Sequence, residues 1–267
     1  MKTRIMSNVQ IAPTLDTMHD VYRMSREGGR TSERFQKYVT RVENEWGLVT
    51  YNPMAGDAAL DAVVQLLAFD AEAVMKDAAE RVCSQCEYHD SITLAISVRS
   101  KGLWTDRIAT EVDDRISDKP RRTGYGIVSL WSREENLQTD VIRESAAETV
   151  RVMWAAIHGA GDTLHRVLAL EGLAYAIATQ LAGTSRFSAE LSPEESVAVI
   201  GALEVLGDTR IVGDIAGVLF GDDVAKEMGW TPLGIPNFAG YRWAVARAER
   251  ILKNVGPTAA LRATVAH

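Results

Sequence analysis

The sequence predicts an α+β fold that is mainly α, on three observations. Residues 92 to 98 and 125 to 131 alternate β-branched and small residues, as strands do. Long stretches around them carry apolar residues at helical spacing, and from Asp140 onward the pattern is almost wholly helical. The chain of 267 residues holds no internal repeat and no low-complexity tract, so one compact unit is expected. Within it, a helical N-terminal part covers 1–90, and a core with a helical C-terminal half covers 91–267.

Residues 14 to 45 are polar and helix-compatible, broken at Gly28-Gly29, with Thr31-Ser32 offering an N-cap to the next helix. Residues 46 to 51 read as a short strand or as a link. From 57 to about 81, Leu60, Val63, Val64, Leu67, Val74 and Met75 fall at helical spacing and predict one long helix. The polar stretch between the two strands, with Asp113-Asp114, Asp118 and Pro120, reads as a surface connection. Its acids do not match the EF-hand spacing, so solvated charge is the plainer reading than calcium. Asp140 can cap a helix whose stripe is Ile142, Ala146, Val150, Met153 and Ile157. A second helix covers 164 to 181. Ser192-Pro193-Glu194-Glu195 is a start signal, with a capping side chain, Pro at the first helical position and an acid at the third. Later helices are expected over about 209 to 228 and 238 to 254.

The composition is that of an ordinary globular protein, 46% hydrophobic and 24% charged. A formal net charge of −7 argues against a broad nucleic-acid footprint, which needs concentrated basic surface; Lys119-Pro120-Arg121-Arg122 is too local to supply one. No run approaches the roughly 18 apolar residues that cross a bilayer, and the opening residues lack a secretory apolar core, so a cytoplasmic protein without membrane partners is expected. Cys83 and Cys86 stand with His89 in Cys-Ser-Gln-Cys-Glu-Tyr-His. A structural zinc site wants four ligands and no second pair is present downstream; two small residues near a helix end is the plainer reading.

The most informative feature is a motif whose usual companion has changed. Thr163-Leu164 followed by Glu171-Gly172-Leu173-Ala174, and later Pro236-Asn237-Phe238-Ala239-Gly240-Tyr241, resemble the TL…EGLA and P…GY segments of a bacterial family of predicted zinc-dependent proteases of the gluzincin type. The resemblance covers about residues 125 to 254. It implies a zincin-like core, a small sheet packed on an active-site helix. In that family two histidines of an HExxH helix and the EGLA glutamate hold zinc, and the Glu of HExxH activates the bound water.

Here the helix departs from the pattern. Placed on Arg143-Glu144-Ser145-Ala146-Ala147, the motif keeps Glu144 and loses both histidines; placed on Ala147-Glu148-Thr149-Val150-Arg151, it keeps Glu148 and again loses both. Ordinary zinc hydrolysis is therefore not expected, and neither a metal nor another cofactor is. The first register suggests that Arg143 lies beside Glu171, its fixed cation filling the charge role of the metal. His158 and His165 are separated by Gly159 and Gly161, which argues against one continuous helical metal face. No GxSxG elbow, P-loop or GxGxxG appears.

Two functions are expected from these residues. One is a metal-independent enzyme acting on a peptide or peptide-like substrate by acid/base chemistry, by isomerisation, epimerisation, cyclisation or cleavage. In it Glu144 is the base, Tyr241 or His165 a proton donor, Arg143 a stabiliser of developing negative charge, and Glu171 the marker of the cleft. The other is a non-catalytic pseudo-peptidase that binds a peptide or protein in the inherited groove. Solvated pairing of Glu144 with a nearby arginine remains the plain alternative to a catalytic role.

Overall fold

A three-stranded sheet organises the chain, in the order β1-β2-β3 with β1 Val9–Ala12, β2 Ile92–Arg99 and β3 Tyr125–Trp131. All three strands are parallel, Val9 opposite Ile92 and Thr93 opposite Tyr125, so each connection is a crossover, and the described residues of both are mostly helical. The computed structural model describes residues 8–28, 30–45, 51–99, 104–113, 124–132, 137–159, 161–187 and 190–263. The Cα trace among these is mainly helical, as expected for an α+β chain weighted to α. Residues 46 to 50, Asp114, Asp118 and the Lys119–Arg122 cluster lie outside the described residues.

From β1 the chain runs through α1 Leu15–Arg26, α2 Thr31–Glu45, α3 Asp57–Ala68 and α4 Ala71–Gln85 before returning as β2. The single long helix expected over 57 to 81 is two. Asp70 between them takes a left-handed conformation, φ 52°, and its carboxylate accepts from the Ala73 N–H to cap α4. β1 is not expected from the sequence because four residues, Val-Gln-Ile-Ala, carry too few alternations to register. Its presence ties the N-terminal part into the sheet. Glu72 on α4 reinforces this by accepting from the backbone N–H groups of Thr14 (2.7 Å) and Leu15 (3.0 Å) at the start of α1.

After β2 come α5 Trp104–Ile108 and a π-helical turn, Ala109–Asp113; β3 then leads to the paired helices α6 Gln138–His158 and α7 Leu164–Ala182. Asp140 serves α6 from its third position rather than as the N-cap, accepting from the Leu137 N–H at 3.0 Å. α8 Pro193–Leu206 starts as expected at Ser192, with the reciprocal box to Glu195. The helix expected over 209 to 228 is divided at Gly221 into α9 Val212–Phe220 and α10 Asp222–Glu227. α11 Ala239–Arg262 is interrupted at Gly256-Pro257, close to the expected end.

One hydrophobic cluster runs from Val9 to Leu261. α6 sits at its centre, packed on β3, α4 and α7, while α7 is clasped by α11. The Gly of EGLA explains that clasp: a Cβ on Gly172 would collide with the backbone carbonyl of Ala244. Gly240 is approached as closely by the Val218 carbonyl. Both motif glycines thus serve close helix packing. No described helix is long and apolar enough to cross a membrane.

Candidate functional site

α6 and α7 pack side by side. On α6, Glu144, Glu148 and Arg151 are spaced to share one face; on α7, Glu171 and Tyr175 are one turn apart. Arg151 meets Glu171 in a fork: Nε donates to Oε1 at 2.9 Å and Nη2 to Oε2 at 2.8 Å. The Glu171 side chain is 0% exposed and that of Arg151 6%. Nη1 of Arg151 donates to Glu148 Oε2 at 3.2 Å, and the guanidinium lies 5.1 Å from the Tyr175 ring centroid. Burial alone would lower the Arg151 pKa, but the charge of Glu171, with Tyr175 and Glu148 behind it, raises it well above the ordinary value. The cation is permanent.

This corrects the expected pairing of Arg143 with Glu171. Arg143 stands eight residues before Arg151, roughly 12 Å along the helix. Its Nε donates to Glu144 Oε1 at 3.2 Å and its Nη2 to Asp140 Oδ1 at 2.6 Å, so it is held by its own helix. Of the two HExxH registers, the one on Ala147–Arg151 has its last residue against Glu171. Glu148, the base position of that register, uses Oε1 to accept the Ile127 N–H of β3 at 3.3 Å.

Beside this closed pair lies an open cleft of about 280 Å³ at the carboxyl end of β3. Ser129 to Trp131 form one wall and Asp140, Arg143 and Glu144 of α6 another; Arg107, Arg186, Phe187 and Phe238 complete it. Glu144 links the cleft to the interior, since Tyr175 donates its hydroxyl to Oε2 at 3.0 Å. Arg186 donates from Nη1 to the Tyr175 oxygen at 2.7 Å and from Nη2 to Glu111 Oε1 at 3.3 Å. Glu111, on the π-helical turn, is 4% exposed and also accepts from Trp131 Nε1 at 3.3 Å. Arg107 lies 3.8 Å from the same carboxylate and stacks on Trp131 at 4.8 Å. Burial raises the Tyr175 pKa, against the opposing pull of Arg186. Burial would lower that of Arg186, but Glu111, Tyr175 and Glu144 outweigh it and raise it well above the ordinary value.

Glu144 is thus at the cleft, whereas the two expected proton donors are not on its lining. Tyr241 is 1% exposed, stacked on Phe187 at 4.4 Å and edge-on to Tyr175 at 5.9 Å in the aromatic wall behind. His165 sits at the first turn of α7, ten residues or roughly 15 Å before Tyr175, with its ring filling the space where Gly207 has no side chain. Tyr175 stands in the place assigned to a donor. Its signal was present, one turn after Glu171 and on the same face. Arg186 and Arg107 carried none, and Glu111 belongs to the acids of the polar stretch expected as solvated charge; it is instead 4% exposed and paired, because α5 and the π-helical turn fold that stretch against Trp131.

His158 ends α6 with Nε2 2.8 Å from the Leu261 carbonyl oxygen, so it does not share a helix with His165. Cys83 and Cys86 are buried at the end of α4, and desolvation pushes both thiols up to about 12. Among the described residues no group of three or more His, Cys, Asp and Glu side chains is placed to hold a metal. The donor set does not fit the zinc of the resembled family: Ala147 offers no ligand atom, and both oxygens of Glu171 are engaged by a guanidinium that would repel a dication.

The chain is 24% identical to an uncharacterized protein of Bacillus subtilis (strain 168), YjfC, over 123 residues, or 43% of this chain and 41% of that one. It therefore spans less than half of that relative's length. No protein-family model matches the chain. No solved structure matches it either.

Proposed function

We propose that this chain is a metal-independent pseudo-peptidase, built on a zincin-like scaffold of gluzincin type, that binds a peptide or peptide-like ligand in the cleft between β3 and α6. The observation that carries this reading is the buried fork between Arg151 and Glu171. A guanidinium in the charge role of a metal neutralises the EGLA carboxylate and leaves no electrophile beside it. The carboxylates nearby are engaged in the same way: Glu148 by Arg151 and Ile127, Glu144 by Arg143 and Tyr175, and Glu111 by Arg186 and Trp131. A general base needs a lone pair directed at substrate, and these carboxylates accept instead from guanidinium, phenol, indole and backbone N–H donors. What stays open is a recognition surface of guanidinium groups and aromatic rings.

A second reading, an acid/base enzyme, is favoured by one contact. Tyr175 donates its hydroxyl to Glu144 at the cleft wall, so a proton donor and a carboxylate acceptor stand in hydrogen-bond contact there. One experiment separates the readings. The protein is incubated with a mixed peptide library, bound peptides are recovered, and their masses and stereochemistry are compared with the input. Saturable binding of unchanged peptides, insensitive to chelator, is expected. Turnover that disappears in Glu144→Gln would replace binding by catalysis, and failure to retain any peptide would overturn both.

A further inference from the structure

A second pocket, of about 210 Å³, opens between α6, α7 and α11 and shares no lining residue with the cleft. It follows from two features of α11. Trp243, Arg247 and Ile251 succeed one another at four-residue spacing along its lining, with Ala244 and Ala248 beside them, so methyl groups leave room that larger side chains would fill. Gly256, at φ 76°, and Pro257 then break the helix, and beyond the break Ala260 and Ala263 return to the same pocket. The returning segment is tied at two points. His158 at the end of α6 donates from Nε2 to the Leu261 carbonyl at 2.8 Å, and the Thr258 hydroxyl donates to that of Gln85 at 3.3 Å.

The lining says what fits. Leu168 and Leu173 of α7 and Trp154 of α6 complete apolar walls, and among the described residues Arg247 is the only ionisable group on them. It is exposed, its guanidinium lies 5.4 Å from the Trp243 ring centroid, and it pairs with no carboxylate among the described residues. One uncompensated cation at the mouth of an apolar pocket selects an anion carried on an apolar body. Trp154 adds a second polar group: it is 2% exposed and lines the pocket, yet its indole N–H has no acceptor among the described residues. A buried donor is normally satisfied, and an oxygen on a ligand satisfies this one. An apolar cavity of about 150 Å³ takes benzene, so this pocket suits a single ring with a short acidic arm. Two tryptophans on its walls favour an aromatic face over an alkyl chain.

We propose that this pocket binds a small aromatic carboxylate, its ring between α7 and α11 beside Trp154 and Trp243 and its acid meeting Arg247 at the mouth. The site is independent of the cleft and of the peptide reading.

The test titrates phenylacetate, phenylacetamide and phenethylamine calorimetrically into the full chain. The acid binds about fivefold tighter than the amide, the discrimination of one solvent-exposed charged contact, and the amine binds weakest. Arg247→Gln, a change at an exposed position, brings the acid to within about twofold of the amide and leaves amide affinity as it was. Trp154→Phe keeps a ring and removes the donor, and weakens acid and amide alike by about threefold. Ala169→Leu, at a partly buried position on the wall, fills the space and abolishes binding of all three. Unchanged circular dichroism establishes that the variants are folded. Absence of saturable acid binding to the parent overturns the site, and equal affinity for acid and amide overturns the ligand class. Acid binding that survives both Arg247→Gln and Ala169→Leu unchanged belongs elsewhere on the molecule and overturns the proposal as well.

Discussion

Truncating Arg151 to methionine leaves the Glu171 carboxylate 0% exposed and without its forked partner. Breaking one side of a buried ion pair costs about 3–5 kcal/mol, so urea unfolding of Arg151→Met should show a loss of that size. Replacing both members, Arg151→Met with Glu171→Leu, should recover most of it, because the remaining penalty is one of packing rather than of an unpaired charge. An Arg151→Met loss below about 1 kcal/mol would mean that Glu171 finds another partner. The need of Glu171 for a cation was legible in EGLA once the histidines were missing; which arginine would supply it was not. Arg143 and Arg151 both fit a helix beside Glu171, and only the longitudinal offset of α6 against α7 chooses between them. That offset depends on the packing at Gly172, which periodicity does not report.

At the scale of elements, the caps and the long apolar stripes were readable because each is local. Ser192-Pro193-Glu194-Glu195 begins α8 as its sequence dictates. The interruptions were harder. Asp70 and Gly221 each divide what the apolar spacing presents as one helix, since a stripe can continue in phase across a single non-helical residue. β1 was missed for its shortness and the π-helical turn because it has no sequence signature, and with that turn went Glu111. A tie between elements gives a pH-dependent prediction. Arg242 on α11 forks onto Glu195 at the start of α8, Nη1 to Oε2 at 3.0 Å and Nη2 to Oε1 at 2.5 Å. The hydrogen bond from Arg242, with that of the Ser192 N–H, holds the Glu195 carboxyl below its ordinary value. A depressed folded pKa contributes stability above the unfolded value, near 4.5, and loses it as pH falls through the folded one. Arg242→Gln should therefore cost about 1–2 kcal/mol at pH 7, from the loss of a partly exposed charged hydrogen bond. The gap to the parent should narrow below about pH 4. A gap independent of pH in denaturation curves would assign the effect to packing instead.

For the whole molecule, the α+β organisation was visible in two strands and a helical remainder, and the parallel sheet adds that the N-terminal segment belongs to the same core. The site emerges from long-range placement: β3, α6 and the segment around Arg186 meet only in the folded chain, which is why Glu144 was identified and its surroundings were not. The central proposal is that Arg151 stands where a zincin-like scaffold would hold its metal, with Glu171 as the ligand it satisfies. The most direct measurement is zinc content and calorimetric zinc affinity of Ala147→His/Arg151→His, which rebuilds HExxH in the register facing Glu171. One zinc per chain, lost again when Glu171→Gln is added, is the expected result. A folded double variant that takes up no stoichiometric zinc would contradict the scaffold assignment.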